Sequence, residues 1–121
     1  METYIATVSA KPGSESEVAA FYQELEPQYA TAEGFLGRQI LMSRPGTMVE
    51  AVMRIRSPEE LAAHPADAEH PGTHFIIIER WENVDDRIRF SQSLDKSRSA
   101  KLFPHLLPDH SHEFYSDITS D

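Results

Sequence analysis

The segment from His74 to Asp86, HFIIIERWENVDD, constrains the fold more than any other part of the chain. Phe75, Ile76, Ile77 and Ile78 form an unbroken apolar run that leads to Trp81, and three of these four residues are β-branched. Such a run fits a pleated strand better than a helix, and its apolar character on both faces fits a strand covered on each side. Asn83 stands three residues before Asp86, the spacing of a helix cap, so the strand is read as feeding a helix over Val84 to Ser93. Alternation sets Phe75, Ile77, Glu79 and Trp81 on one face and His74, Ile76, Ile78 and Arg80 on the other.

Two earlier segments follow the same logic. Tyr4 to Ala10 alternates over a strand's length, and Lys11-Pro12-Gly13 then turns the chain. Ser14 with Glu17 has the spacing of a capping box, and Val18, Phe21, Tyr22, Leu25 and Tyr29 fall on one helical face while Glu15, Glu24 and Gln28 face outward. Pro27 should kink that helix or split off its last turn, because it lacks an amide hydrogen and crowds the preceding turn. Gly34 and Gly37 bracket the start of a second strand, Phe35 to Met42.

The stretch from Ser43 to Gly72 spends about thirty residues where a short turn would serve, a length that points to function or disorder. Thr47 with Glu50 and Ser57 with Glu60 give two capping-box spacings, the second reinforced by Pro58 at the first helical position, so two short helices are expected. Val49, Ala51, Met53 and Ile55 also alternate, which leaves a strand as the rival reading. Ala62 to His74 reads as a proline-broken loop. After the helix at Val84, a further helical stretch from Ser97 to Leu107 ends at Pro104 or Pro108, and His112 to Ile118 closes the chain as a strand.

A chain of 121 residues supports one domain, residues 1–121, with one core. No apolar run approaches bilayer length and no basic-then-apolar leader follows Met1, so a soluble cytoplasmic protein is expected, with no membrane partner. Cysteine is absent, which removes disulfides and thiolate chemistry. A formal net charge of −9 with scattered basic residues argues against a nucleic-acid partner.

In their order and spacing, YIATVSAKPGSESEVAAFY, EGFLGRQIL and HFIIIERWENVDD resemble the antibiotic biosynthesis monooxygenase family of dimeric α+β barrels. The resemblance covers about two-thirds of the chain and leaves out residues 43–72. It implies an α+β fold, a ferredoxin-like β-α-β-β-α-β unit forming a dimeric α+β barrel, with a long insertion between strands 2 and 3. It also implies a pocket between each sheet and its own helices. In the phenol-oxidising members a tryptophan equivalent to Trp81 lies by the pocket, and an asparagine stands four residues earlier, where this chain has Ile77. The residues used by the haem-degrading branch correspond to Ala6, Phe90 and Ala100, which disfavours haem degradation unless His105 or His110 coordinates iron from a shifted register.

The resemblance implies a cofactor-independent monooxygenase acting on a small aromatic or quinol-type compound. A non-catalytic small-molecule-binding or stress-related dimer and an enol-type isomerase are the alternatives. His74, opening the third strand, is the expected catalytic base, since an imidazole titrates near neutrality. Trp81, Arg38, Tyr22, Phe90 and Phe103 are the expected substrate-binding residues, Trp81 by stacking and Arg38 by holding an anionic oxygen. His64, His70 and His74, with Asp67 and Glu69 between them, match no compact ligand spacing, nor do His105, His110 and His112, so no metal is expected. No glycine-rich dinucleotide fingerprint follows the first strand, and no cofactor is expected. The expected partners are a small-molecule substrate and a second copy of the chain, with residues 43–72 closing over the pocket as a lid or, alternatively, extending the dimer interface.

Overall fold

In the computed structural model, which describes residues 1–65 and 71–119, strands and helices interleave along the chain. β1 (Glu2–Ala10) precedes α1 (Glu15–Glu24) and α2 (Glu26–Ala30), then come β2 (Phe35–Met42), α3 (Thr47–Ile55), α4 (Pro58–Ala63) and β3 (Thr73–Trp81). The remainder is α5 (Val84–Ser93), α6 (Lys96–Leu102), a 3-10 turn (Phe103–His105) and β4 (Leu106–Tyr115). The strands form one antiparallel sheet in the order β2-β3-β1-β4, the ferredoxin-like order expected of the α+β class. β3 and β1 are central.

Register decides what meets what. Glu79 pairs with Arg38 on one side and Tyr4 on the other, and Tyr4 pairs in turn with Phe114. Those four residues form one row across the helix-covered face. Along β3 on the same face Phe75 and Ile77 are each 1% exposed and Trp81 is sealed. One core group joins Ala10, Val18, Phe75, Ile77 and Leu102, and another joins Leu25, Tyr29, Trp81 and Phe90. The opposite face is open in the single chain, with Ile76 37% and Leu41 46% exposed, so the two-sided covering inferred from the apolar run is not supplied by this chain's own helices.

Pro27 splits the first helix as expected: α1 stops at Glu24 and α2 resumes at Glu26 with the proline in its first turn. Asn83 caps α5, accepting from the amide of Asp86 at 2.8 Å. Ser57 and Glu60 make the full capping box of α4.

Several local expectations are overturned. Ser14 makes no side-chain cap, because its hydroxyl is engaged 3.1 Å from His105 Nδ1. Thr47 lies inside α3 rather than before it, and the cap position is Gly46 at φ 85°, a left-handed conformation that glycine adopts without cost. The strand alternative over Val49 to Ile55 is excluded by that helix. The last helix ends at Leu102 and not Leu107, and β4 begins six residues earlier than His112 and ends at Tyr115. Pro108 is tolerated inside β4 because this is an edge strand with a register shift opposite Val8 and Ala10.

Candidate functional site

Between the helix-covered face of the sheet and α1, α5 and α6 lies a cavity of about 560 Å³. Its walls are apolar: Phe21, Leu25, Ile77, Leu94, Leu102 and Leu106. Its ionisable groups come from particular elements. β3 supplies Glu79, α5 supplies Arg87, β1, α1 and α2 supply Tyr4, Tyr22 and Tyr29, and β4 supplies His110 and His112. An apolar enclosure with a handful of convergent polar groups is the usual form of a small-molecule site.

Glu79 is the anchor of the polar part. It is 1% exposed, and its carboxylate accepts from the Tyr29 hydroxyl at 2.6 Å, the Trp81 indole nitrogen at 2.8 Å and Arg87 Nε at 2.6 Å. A buried carboxylate is tolerable only with such partners, and the arginine neutralises it. Arg87 also donates through Nη1 to Ser91 and lies 4.1 Å over the ring of Tyr4. Arg87 lines the cavity, and its Nη2 makes no hydrogen bond among the described residues.

The phenols around this pair are held neutral. Burial pushes Tyr22 up to about 12, with Tyr4 and Glu79 adding to the effect. Burial also raises Tyr4, against the opposing pull of Arg87, and raises Tyr29, where Glu79 contributes both its charge and its hydrogen bond. The hydroxyls of Tyr4 and Tyr22 make no hydrogen bond among the described residues, so at neutral pH both remain O–H groups available to a ligand.

The residues singled out from sequence separate into three places. Tyr22 and Phe103 line the cavity. Trp81 and Phe90 stand behind it in the wall, their rings 5.4 Å apart, with the Trp81 N–H spent on Glu79. Phe90 lines instead a smaller cavity of about 300 Å³ with Gln28, Asp86 and Arg89. The Arg38 side chain, 2% exposed, lies over the Tyr29 ring at 4.2 Å and pairs with Glu26 at 2.7 Å, so it supports the wall and does not line the cavity. His74 is on the other face of the sheet. Its Nδ1 is 2.9 Å from Ser9 Oγ, which donates to Asp109 at 2.5 Å. The sheet stands between His74 and a molecule in this cavity.

No described residue of the stretch 43–72 lines the cavity, so the lid expected there is not formed by α3 or α4. His70, Asp67 and Glu69 lie outside the described residues, and among the described residues no cluster of histidines and carboxylates suits a metal ion. No helix of the described residues is long and apolar enough to cross a membrane.

Glu79, Arg87 and Tyr29 were not selected from sequence. The signal for Glu79 was present: alternation sets a carboxylate on the same face as Phe75, Ile77 and Trp81, and a charge on a core face demands a buried partner. Nothing local identified Arg87 as that partner, because the pair forms across the strand-helix connection.

No protein-family model matches the chain, and no curated protein is similar to it in sequence. Solved structures are similar in fold. SnoaB, a cofactor-independent oxygenase from Streptomyces nogalater, in mutant form, superimposes with a TM-score of 0.61 at 12% identity, over 98% of this chain and 95% of that one. An antibiotic biosynthesis monooxygenase gives 0.63 at 16% identity over 98% and 100%. A conserved protein from Methanosarcina mazei gives 0.62 at 15% identity over 94% and 89%. At these identities the likeness establishes the fold, and the fold alone hosts more than one function.

Proposed function

We propose that this protein binds a small aromatic or quinol-type compound in the helix-side cavity and oxidises it as a cofactor-independent monooxygenase. The observation that carries the reading is the pairing of an apolar enclosure with one lining guanidinium, Arg87, whose Nη2 has no hydrogen bond among the described residues, and two neutral phenols, Tyr4 and Tyr22. A planar ring fits among Phe21, Leu25, Ile77 and Leu102 with Phe103 at the margin. Its oxygen then has a positive charge and O–H donors to meet, and each favours the deprotonated ring over the neutral one. An electron-rich phenolate reduces dioxygen directly, so the protein need only desolvate, orient and stabilise that anion. The likeness to SnoaB supports this reading at the level of fold. Trp81, Phe90 and Arg38 serve it by fixing Glu79 and Tyr29, which in turn fix Arg87.

A binding protein of the same fold without turnover is the second reading. Ile77 favours it, because the position that holds an asparagine in phenol-oxidising relatives is here an apolar part of the cavity wall. We also propose a homodimer in which a second copy covers the open sheet face around Ile76 and Leu41, where exposed apolar groups lack a cover in the single chain. A monomer in sedimentation at micromolar concentration refutes that assembly.

Oxygen uptake with a panel of dihydroxyaromatics tests the activity. Arg87→Met, which retains the aliphatic length, should lower uptake by about 10²-fold, the scale for one preorganised electrostatic donor. Binding of the panel without uptake favours the second reading, and absence of both binding and uptake refutes the site.

A further inference from the structure

We infer that His110 is the proton acceptor for a hydroxyl-bearing ring bound in the helix-side cavity, which rests on the small-molecule reading of that cavity. His110 lines it from β4, and its Nδ1 lies 2.9 Å from the carbonyl oxygen of Pro108. A carbonyl has no proton to give, so Nδ1 carries the hydrogen of this bond. In the neutral ring Nε2 is then a lone-pair acceptor, the tautomer that a base needs. The fold builds this arrangement. The register of β4 against β1 passes from the Val8–His110 pair to the Ala10–Leu106 pair, and the intervening extra residues of β4 include Pro108. Such a bulge re-aims side chains at the margin of a sheet.

The other groups at the cavity are unsuited to the role. Glu79 already accepts from three donors, one of them the Arg87 guanidinium. Tyr4 and Tyr22 are neutral and acidic only far above neutrality. His105 is turned to Ser14, and His74 lies across the sheet. His112 lines the cavity with no hydrogen bond among the described residues to fix its tautomer. The charged and titratable groups that line the cavity with His110 are Glu79 on β3, Arg87 on α5, Tyr4 on β1, Tyr22 on α1, Tyr29 on α2 and His112 on its own strand, with Asp109 adjacent in sequence.

In the step, the ligand O–H bond breaks and an N–H bond forms at His110 Nε2. The electron pair stays on the ligand oxygen, so a neutral pair becomes an imidazolium beside a phenolate with no change in total charge. His110 is itself exposed, which gives the proton a path to water.

The test uses 7-hydroxycoumarin, a phenol whose neutral and ionised forms absorb at different wavelengths, titrated with the full-length protein across the neutral pH range. Wild type should bind it with an enlarged ionised fraction relative to free probe. His110→Asn retains an N–H able to reach the Pro108 carbonyl but has no base, so the probe should still bind while its ionised-to-neutral ratio falls about tenfold, one unit of apparent pKa. His110→Gln should behave alike. Bound probe that remains ionised in both variants overturns the inference, as does loss of ionisation in His74→Asn with His110 intact. Wild type that binds the probe only in neutral form overturns the inference while leaving the cavity reading standing. Failure of wild type to bind any of the probe removes the cavity reading and the inference together.

Discussion

Replacing Glu79 by glutamine keeps its shape and removes its charge, and the side chains around it set the outcome. Arg87, 8% exposed, loses the carboxylate at 2.6 Å that neutralises it, while Trp81 and Arg87 still find an oxygen if the amide oxygen takes the place of Oε1. The amide nitrogen then faces the Tyr29 hydroxyl, which can turn to accept instead of donate. The hydrogen bonds are conserved in number, so the cost is chiefly an uncompensated buried cation, about 3–5 kcal/mol, moderated because Arg87 lines the cavity. A loss of about 3 kcal/mol is therefore expected. In urea this lowers the unfolding midpoint by about 1.5–2 M. Trp81, the chain's one tryptophan and sealed beside Glu79, supplies the fluorescence readout. Arg87→Met should cost a similar amount, since it leaves the carboxylate with two neutral donors and removes the cation over the Tyr4 ring. The double variant Glu79→Gln with Arg87→Met restores neutrality and should cost only about 1–2 kcal/mol, a coupling of several kcal/mol between the two sites. A Glu79→Gln midpoint equal to wild type within error, or a double variant whose loss equals the sum of the singles, refutes the claim that this pair is a coupled, buried ion pair.

Gly34, at φ 82°, has no room for a Cβ, which would enter the Asp86 carboxylate. Gly34→Ala should therefore destabilise by on the order of 2–4 kcal/mol in urea melts, strain and clash together, and a change under 1 kcal/mol would show that Asp86 is free to move. Asn83→Ala removes the cap accepting from Asp86 and should cost about 1 kcal/mol by the same measurement. Tyr22 has its folded value raised from 10.0 to about 12, so its share of stability is complete below pH 10 and is lost as pH rises towards 12. That share is on the order of 2–3 kcal/mol, and Tyr22→Phe should flatten the alkaline fall in urea stability. An unchanged slope would contradict a buried neutral phenol. Replacing residues 44–71 by a short turn should leave 7-hydroxycoumarin affinity within about twofold, a difference well under 1 kcal/mol, because no described residue of that stretch lines the cavity; loss of affinity would restore the lid.

The local signals that survived are those whose physics is complete within a few residues. The apolar run before Trp81, the split at Pro27, the Asn83 cap and the Ser57–Glu60 box are decided by side-chain shape and by backbone groups close in sequence, and each stands in the structure. The ferredoxin-like strand order was what the family resemblance implied, and it stands in the structure. Where local physics left a side chain free to choose, tertiary partners decided. Ser14 had the spacing of a cap and went to His105, 91 residues away in sequence. Leu106 and Leu107 suited a helix end as well as a strand start, and pairing to β1 made them strand. The site was the least legible part for the same reason. His74 and Trp81 carry chemistry on their own, but only packing reveals that one lies across the sheet and the other gives its N–H to Glu79. A buried charge is defined by its partner, and Arg87 reaches Glu79 only once α5 has folded back over β3, so the pair at the heart of the cavity exists in three dimensions and nowhere in the linear pattern.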